Sequence, residues 1–209
     1  MKHTKFLKRI LAVSLGVIFT QSGLMAEVYK VDLDKPKIEK LQSPDNAGGV
    51  GNKSFKPKDW MEIELKFKVI VPPSSKAKFV DKVSVKWYVS TKSPEGGRQK
   101  ILLEKEVNYV NVPVGEDIYT SVYLSPSAIM RLTGSDNVSK GDIENVGGEI
   151  RVNGSEAYKK SGFFTLKSKP MWWNSGSLSR YDKIPLRNKD ETPFKFLWYD
   201  RYAEIEVKR

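Results

Sequence analysis

The chain has 209 residues, with 36 Lys+Arg against 25 Asp+Glu and a formal net charge of +11. It has no cysteine, which excludes disulfides, thiolate nucleophiles and Cys-ligated clusters. Its one histidine, His3, lies in a segment that reads as a removable leader, so the mature chain is also without Ser-His-Asp triads, His/Cys zinc sites and haem on an axial histidine.

The first thirty residues have three parts. Lys2, Lys5, Lys8 and Arg9 make a positive start, Ile10 to Thr20 is an uncharged and mostly apolar run, and Leu24-Met25-Ala26 ends on a small residue. That is the pattern of a secretory signal peptide cleaved after Ala26. The apolar run is shorter than the roughly 20 residues of a spanning helix. Export to the periplasm, the outer surface or the medium is therefore expected. No later stretch is apolar enough for a transmembrane helix, and a chain without disulfides is expected to depend on its own apolar core.

An early strand is expected through Glu27 to Leu33. The segment 43–59 (SPDNAGGVGNKSFKPKD) is polar and rich in Gly and Pro, and reads as an exposed loop or hinge. From Trp60 to Val71 the chain alternates: Met61, Ile63, Leu65, Phe67 and Val69 share one face, and Glu62, Glu64, Lys66 and Lys68 the other. Period two over that length predicts a half-buried antiparallel strand. The same alternation recurs at Val83, Val85, Trp87 and Val89, at Ile118, Thr120, Val122 and Leu124, at Ile150 and Val152, and at Ile205 and Val207. Segments 99–110 and 161–167 also read as strands. Ser93-Pro94-Glu95-Gly96-Gly97 and Asn153-Gly154-Ser155 are hairpin signals. One helix is predicted, capped by Ser125, entered at Pro126 and closed by Gly134.

Many short strands with one short crossover helix predict an all-β, immunoglobulin-like antiparallel β-sandwich over 27–168, with Trp87 in its core. Residues 169–209 lose the alternation and become an irregular, aromatic-rich tail. It holds Trp172, Trp173, Tyr181, Trp198, Tyr199 and Tyr202, and is expected to fold back on the sandwich and end in a strand.

The leader, the KFKV and VKWYV strands, SPSAIMRLTG and the tail PMWWN…TPFKFLWYDRY resemble a family of exported immunoglobulin-like proteins of Verrucomicrobia, of the Akkermansia type, associated with type IV pilus loci. The resemblance covers nearly the whole chain and is carried mostly by the tail. It implies an envelope or secreted role near pili, with a protein partner there, and supplies no catalytic residues.

The six tail aromatics are the strongest candidate binding residues. Flat rings stack on sugar CH groups, and exposed aromatics anchor protein interfaces. The competing reading is that Trp172 and Trp198 fill a second small core, because large aromatics bury much area per residue. Glu62 with Glu64, and Glu104 with Glu106, share strand faces about 7 Å apart, a spacing open to glycosidase-type pairs. Their alternation with Lys66, Lys68 and Lys105 favours a solvated outer face. Asp136 and Asp142 flank a polar loop, SDNVSKGD, that reads as an ordinary loop in preference to a weak cation site. Gly147-Gly148 lacks the lysine and helix of a phosphate loop. The basic excess is dispersed, which disfavours nucleic acid and leaves anionic glycans, lipid headgroups or an acidic protein as partners. No cofactor or metal site is read. Two functions remain: a non-catalytic interaction or accessory module, and a carbohydrate-binding module using Trp172, Trp173 and Trp198.

Overall fold

Alternation in the sequence becomes two facing β-sheets in the computed structural model, which describes residues 28–44, 56–96 and 98–207. The leader through Ala26 and most of segment 43–59 lie outside the described residues. In chain order the elements are β1 (Lys30–Leu33), β2 (Lys37–Gln42), β3 (Asp59–Ile70), β4 (Phe79–Lys92), β5 (Lys100–Pro113), β6 (Ile118–Leu124), α1 (Pro126–Thr133) and β7 (Ile143–Val152). The short strands β8 (Ser155–Glu156), β9 (Phe163–Thr165), β10 (Leu178–Arg180), β11 (Arg187–Asn188) and β12 (Glu204–Ile205) follow. The first sheet runs β1-β3-β6-β11, with β2 also on β3. The second runs β10-β5-β4-β7-β8, with β12 on β5 and β9 on β7. Apart from the parallel β10–β5 pair, the strand pairs are antiparallel.

The alternating apolar faces meet between the sheets. Met61, Ile63, Leu65, Phe67 and Val69 of β3 face Val83, Val85, Trp87 and Val89 of β4, all fully buried. Each such side chain contributes roughly 1.5–3 kcal/mol on burial, so the interior substitutes for the absent disulfides. Trp87 sits mid-strand in this core, edge-on to Phe164 at 4.9 Å between ring centroids. The helix forms as its caps dictate: Ser125 Oγ accepts from the Ala128 amide, and Gly134 closes it at φ 73. At the β7–β8 hairpin Asn153 and Gly154 both take positive φ, 48 and 79, as a two-residue turn of the primed type requires.

Two elements differ from expectation. Strand β2 (KIEKLQ) was not foreseen, because only Ile38 and Leu41 are apolar and the register on β3 does the work that alternation would signal. It follows β1 after a one-residue register shift at Lys35-Pro36, where a proline without an N–H suits a break in the ladder. Strand β7 begins at Ile143, well before the alternating Ile150 and Val152. Its Gly147-Gly148 obscures the pattern for a packing reason. A Cβ on Gly147 would lie 2.8 Å from the Trp173 ring, and one on Gly148 would collide with the Lys86 carbonyl and approach the Phe164 ring to 2.5 Å. The glycines are where three aromatic side chains, Trp172 and Trp173 at Gly147 and Phe164 at Gly148, cross the strand.

Gly148→Ala should therefore destabilise the fold by roughly 1–3 kcal/mol, as overpacking does, while Gly154→Ala should cost through backbone strain alone. Urea unfolding of the two variants checks this. A neutral Gly148→Ala would contradict the close approach.

Candidate functional site

The tail leaves the second sheet after β9, crosses both sheets at their β5 and β6 edges, and returns. Its first hook is on the outer face of the second sheet. Trp173, 6% exposed, stacks on Tyr88 at 4.7 Å with an 8° interplanar angle, and on Phe163 at 6.3 Å. Leu102 completes this small apolar cluster, and Trp172 stands edge-on to Trp173 at 80°. Parallel pairing of β10 with Lys100–Leu102 then closes part of the β5 edge, and Arg180 reaches Glu104 at 3.0 Å. Ile184 and Leu186 insert into the main core, with Tyr181 packed partly buried against it.

The second hook covers the outer face of the first sheet. Strand β11 pairs with Val122 and Tyr123 of β6. An Asn188–Glu191 capping box turns the chain, and the same Glu191 takes Lys105 of the other sheet at 2.8 Å. Phe194, fully buried, stacks on Tyr123 and meets Trp60 edge-on. Beneath it Tyr123 donates to Glu62 at 2.6 Å, and Ser121 donates to Tyr123 at 2.9 Å. Tyr202 donates to Glu64 at 2.8 Å, Arg201 reaches Glu64 at 3.4 Å, and the Arg201 guanidinium lies 3.8 Å from the centre of the Tyr119 ring. Lys189, only 3% exposed, donates to the Lys195 carbonyl and sits 4.5 Å from the Tyr202 ring centre. Burial holds its amine below the usual lysine range.

Alternation with lysine suggested that Glu62 and Glu64 face water. Glu62 is instead 6% exposed under the tail. Burial pushes its carboxyl up to about 7; the Tyr123 hydrogen bond and Arg201 oppose this, and the Glu64 and Glu39 charges add to it. A carboxyl poised there has the proton affinity of a general acid, but both carboxylates are engaged by tyrosine hydroxyls and Glu62 is closed off. The cleft beside Glu64, lined also by Asp34, Lys35, Lys37, Lys66 and Tyr119, holds only about 100 Å³. Substrate pockets are typically about 300–1,000 Å³. Asp142 is likewise committed: it accepts from the Ser139 amide at 2.7 Å and from the Ser139 hydroxyl at 3.1 Å, capping a turn. Among the described residues no cluster of acids or histidine has the makings of a metal site, and no helix is long and apolar enough to cross a membrane.

The six aromatics singled out by sequence therefore separate. Trp173 is core, Trp172 and Tyr181 are half-buried against the second sheet and its edge, and Tyr202 serves the clamp over the first. Only Trp198 and Tyr199 project, 47% and 57% exposed, beside Phe196 at 79% and Leu197 at 37%. These four consecutive side chains form an exposed apolar knuckle between the buried Phe194 and the half-buried, hydrogen-bonded Tyr202. Trp198 takes φ 51, a strained conformation for a non-glycine residue that costs about 1–3 kcal/mol. Phe196 and Leu197 were missed by sequence reading because they sit in the same aromatic run as their buried neighbours.

The clamp makes stability pH-dependent. Unfolded, Glu62 ionises near 4.5; folded, near 7. Its contribution is thus full below the lower value and is lost as pH rises through the upper one. Urea unfolding between about pH 5 and pH 8 should show stability falling by up to about 3 kcal/mol from this group, and Glu62→Gln should remove that slope. An unchanged slope in Glu62→Gln would contradict the assignment.

A protein-family model matches residues 23–209. A crystal structure from Akkermansia muciniphila aligns with a TM-score of 0.77 at 36% sequence identity, covering 88% of this chain and 96% of that one. No curated protein matches the chain. The match runs through the sandwich and the aromatic tail alike, and the chain belongs to the family whose model spans 23–209, with the Akkermansia muciniphila protein as a structural relative.

Proposed function

We propose that this chain is an exported, non-catalytic interaction module of the cell envelope, accessory to a pilus-type surface assembly, which engages a protein partner through the Phe196–Tyr199 knuckle. The observation that carries this reading is the exposure of four consecutive large apolar side chains on a segment whose flanks are fully anchored. Exposed apolar patches on a folded surface mark interaction sites, and aromatic side chains are the residues that carry binding energy there. Strain at Trp198 adds to this, since a non-glycine residue at positive φ persists only where the surrounding structure imposes it. The carboxylates, sequestered by tyrosines and by the tail, support adhesion over bond-making.

A glycan reading rests on the same knuckle. Trp172 and Trp173 stand at 80° with Trp173 buried, so they offer no flat platform, whereas Trp198 and Tyr199 are exposed. Cross-linking to native envelope extracts, alongside a glycan array, separates the two. The double variant Phe196→Ser/Trp198→Ser should keep the parent melting temperature and lose its cross-linked protein partner at least tenfold. Retained cross-linking would remove the knuckle as the contact surface, and array signal lost in Trp198→Ala would favour the glycan reading.

A further inference from the structure

The two sheets have a second flank, away from β11, and there the edges are treated differently. Strand β1 is covered at its start: the Val31 amide donates to Ser161 Oγ, and the Tyr158 amide donates to the Tyr29 carbonyl. Strand β2 is not. The bond from the Ser43 amide to the Lys58 carbonyl fixes the phase of the β2–β3 ladder, so Lys37, Glu39 and Leu41 exchange backbone bonds with β3. The backbone groups of Ile38, Lys40 and Gln42 point outward, and among the described residues nothing bonds to them. Beside this edge runs a groove of about 590 Å³, walled by Pro36, Ile38 and Leu166 and rimmed by Lys37, Lys140 and Lys167, with Glu39 the one acid.

We propose that the β2 edge and this groove form a strand-docking site for an extended acidic segment of another protein. The segment adds to β2 by backbone bonds to Ile38, Lys40 and Gln42. It places an apolar side chain over Ile38 and Leu166, and its carboxylates meet Lys37, Lys140 and Lys167. Edge addition of this kind takes affinity from main-chain bonds and specificity from alternate side chains. The lysine rim selects the sign of the partner and disfavours indiscriminate pairing. A second copy of the chain fits poorly. The outward groups are on even-numbered residues, so the two antiparallel self-pairings of greatest overlap put the twofold on Glu39 or on Lys40, and each then faces its own like charge. The site does not involve the 196–199 knuckle, so it stands or falls apart from the function proposed above.

The test uses the full chain and two labelled eight-residue peptides, one alternating Val with Asp and one alternating Val with Lys, read by fluorescence anisotropy. The Val/Asp peptide should bind at least tenfold more tightly than the Val/Lys peptide. Lys40→Pro removes an outward N–H without touching the β3 ladder, and should abolish binding. Lys37→Glu/Lys140→Glu should reverse the preference, and keeps the test sharp should Lys40→Pro lower the melting temperature. Trp198→Ser should bind as the parent does. Failure of the Val/Asp peptide to bind, equal binding of both peptides, or indifference to the charge reversal would overturn the proposal. A self-associated species by sedimentation that dissolves in Lys40→Pro would assign the edge to a second copy instead.

Discussion

Closure of the β5 and β6 edges by the chain's own tail is the constraint on which the rest of the structure depends. Two sheets held by apolar contact, with no covalent cross-link, would present ladder groups to water wherever an edge strand ends. Here residues 178–205 supply the missing partners: β10 and β12 on β5, and β11 on β6. The Lys105–Glu191 pair ties one sheet to the segment lying on the other. An exposed ion pair of this kind contributes little, about 1 kcal/mol or less. The larger anchors are the aromatic residues Trp173 and Phe194, each buried on the outer face of a different sheet.

Such closure explains an otherwise costly choice. The outer face of the first sheet carries Glu62, Ser121, Tyr123 and, from the tail, Lys189, all buried. Burying a carboxyl and an amine is expensive unless each finds partners, and here tyrosine hydroxyls, a backbone carbonyl and an aromatic face provide them. An all-apolar clamp would hold as tightly, but a polar one fixes the register of the tail, because Tyr202 meets Glu64, with Phe194 seated on Tyr123, only in one alignment. Register matters because the knuckle at Phe196–Tyr199 lies between those fixed points.

Much of the sandwich was legible in the sequence. Period two marked β3, β4 and β6, and Ser125, Pro126 and Gly134 marked the helix, because those signals are local. What escaped was set by residues distant in the chain. Strand β2 has too few apolar residues to announce itself and is defined by its neighbour β3. Glu62 alternates with lysine like a solvated residue and is buried only because the tail lies over it. Trp173 and Trp198 are the same residue type in the same aromatic segment, yet one stacks in a core and the other projects. Composition could locate the tail as the place of interest but could not sort its rings, since that depends on which glycine or tyrosine each one meets.

Amide hydrogen exchange on the intact chain tests the central claim most directly. If the tail closes the sandwich, amides of β10, β11 and β12 exchange with protection approaching that of β5 and β6, the 196–199 knuckle exchanges fast between protected flanks, and Phe194→Ala exposes β11 and the β6 edge together. Uniformly fast exchange from residue 178 onward, with β5 and β6 protected and indifferent to Phe194→Ala, would contradict it.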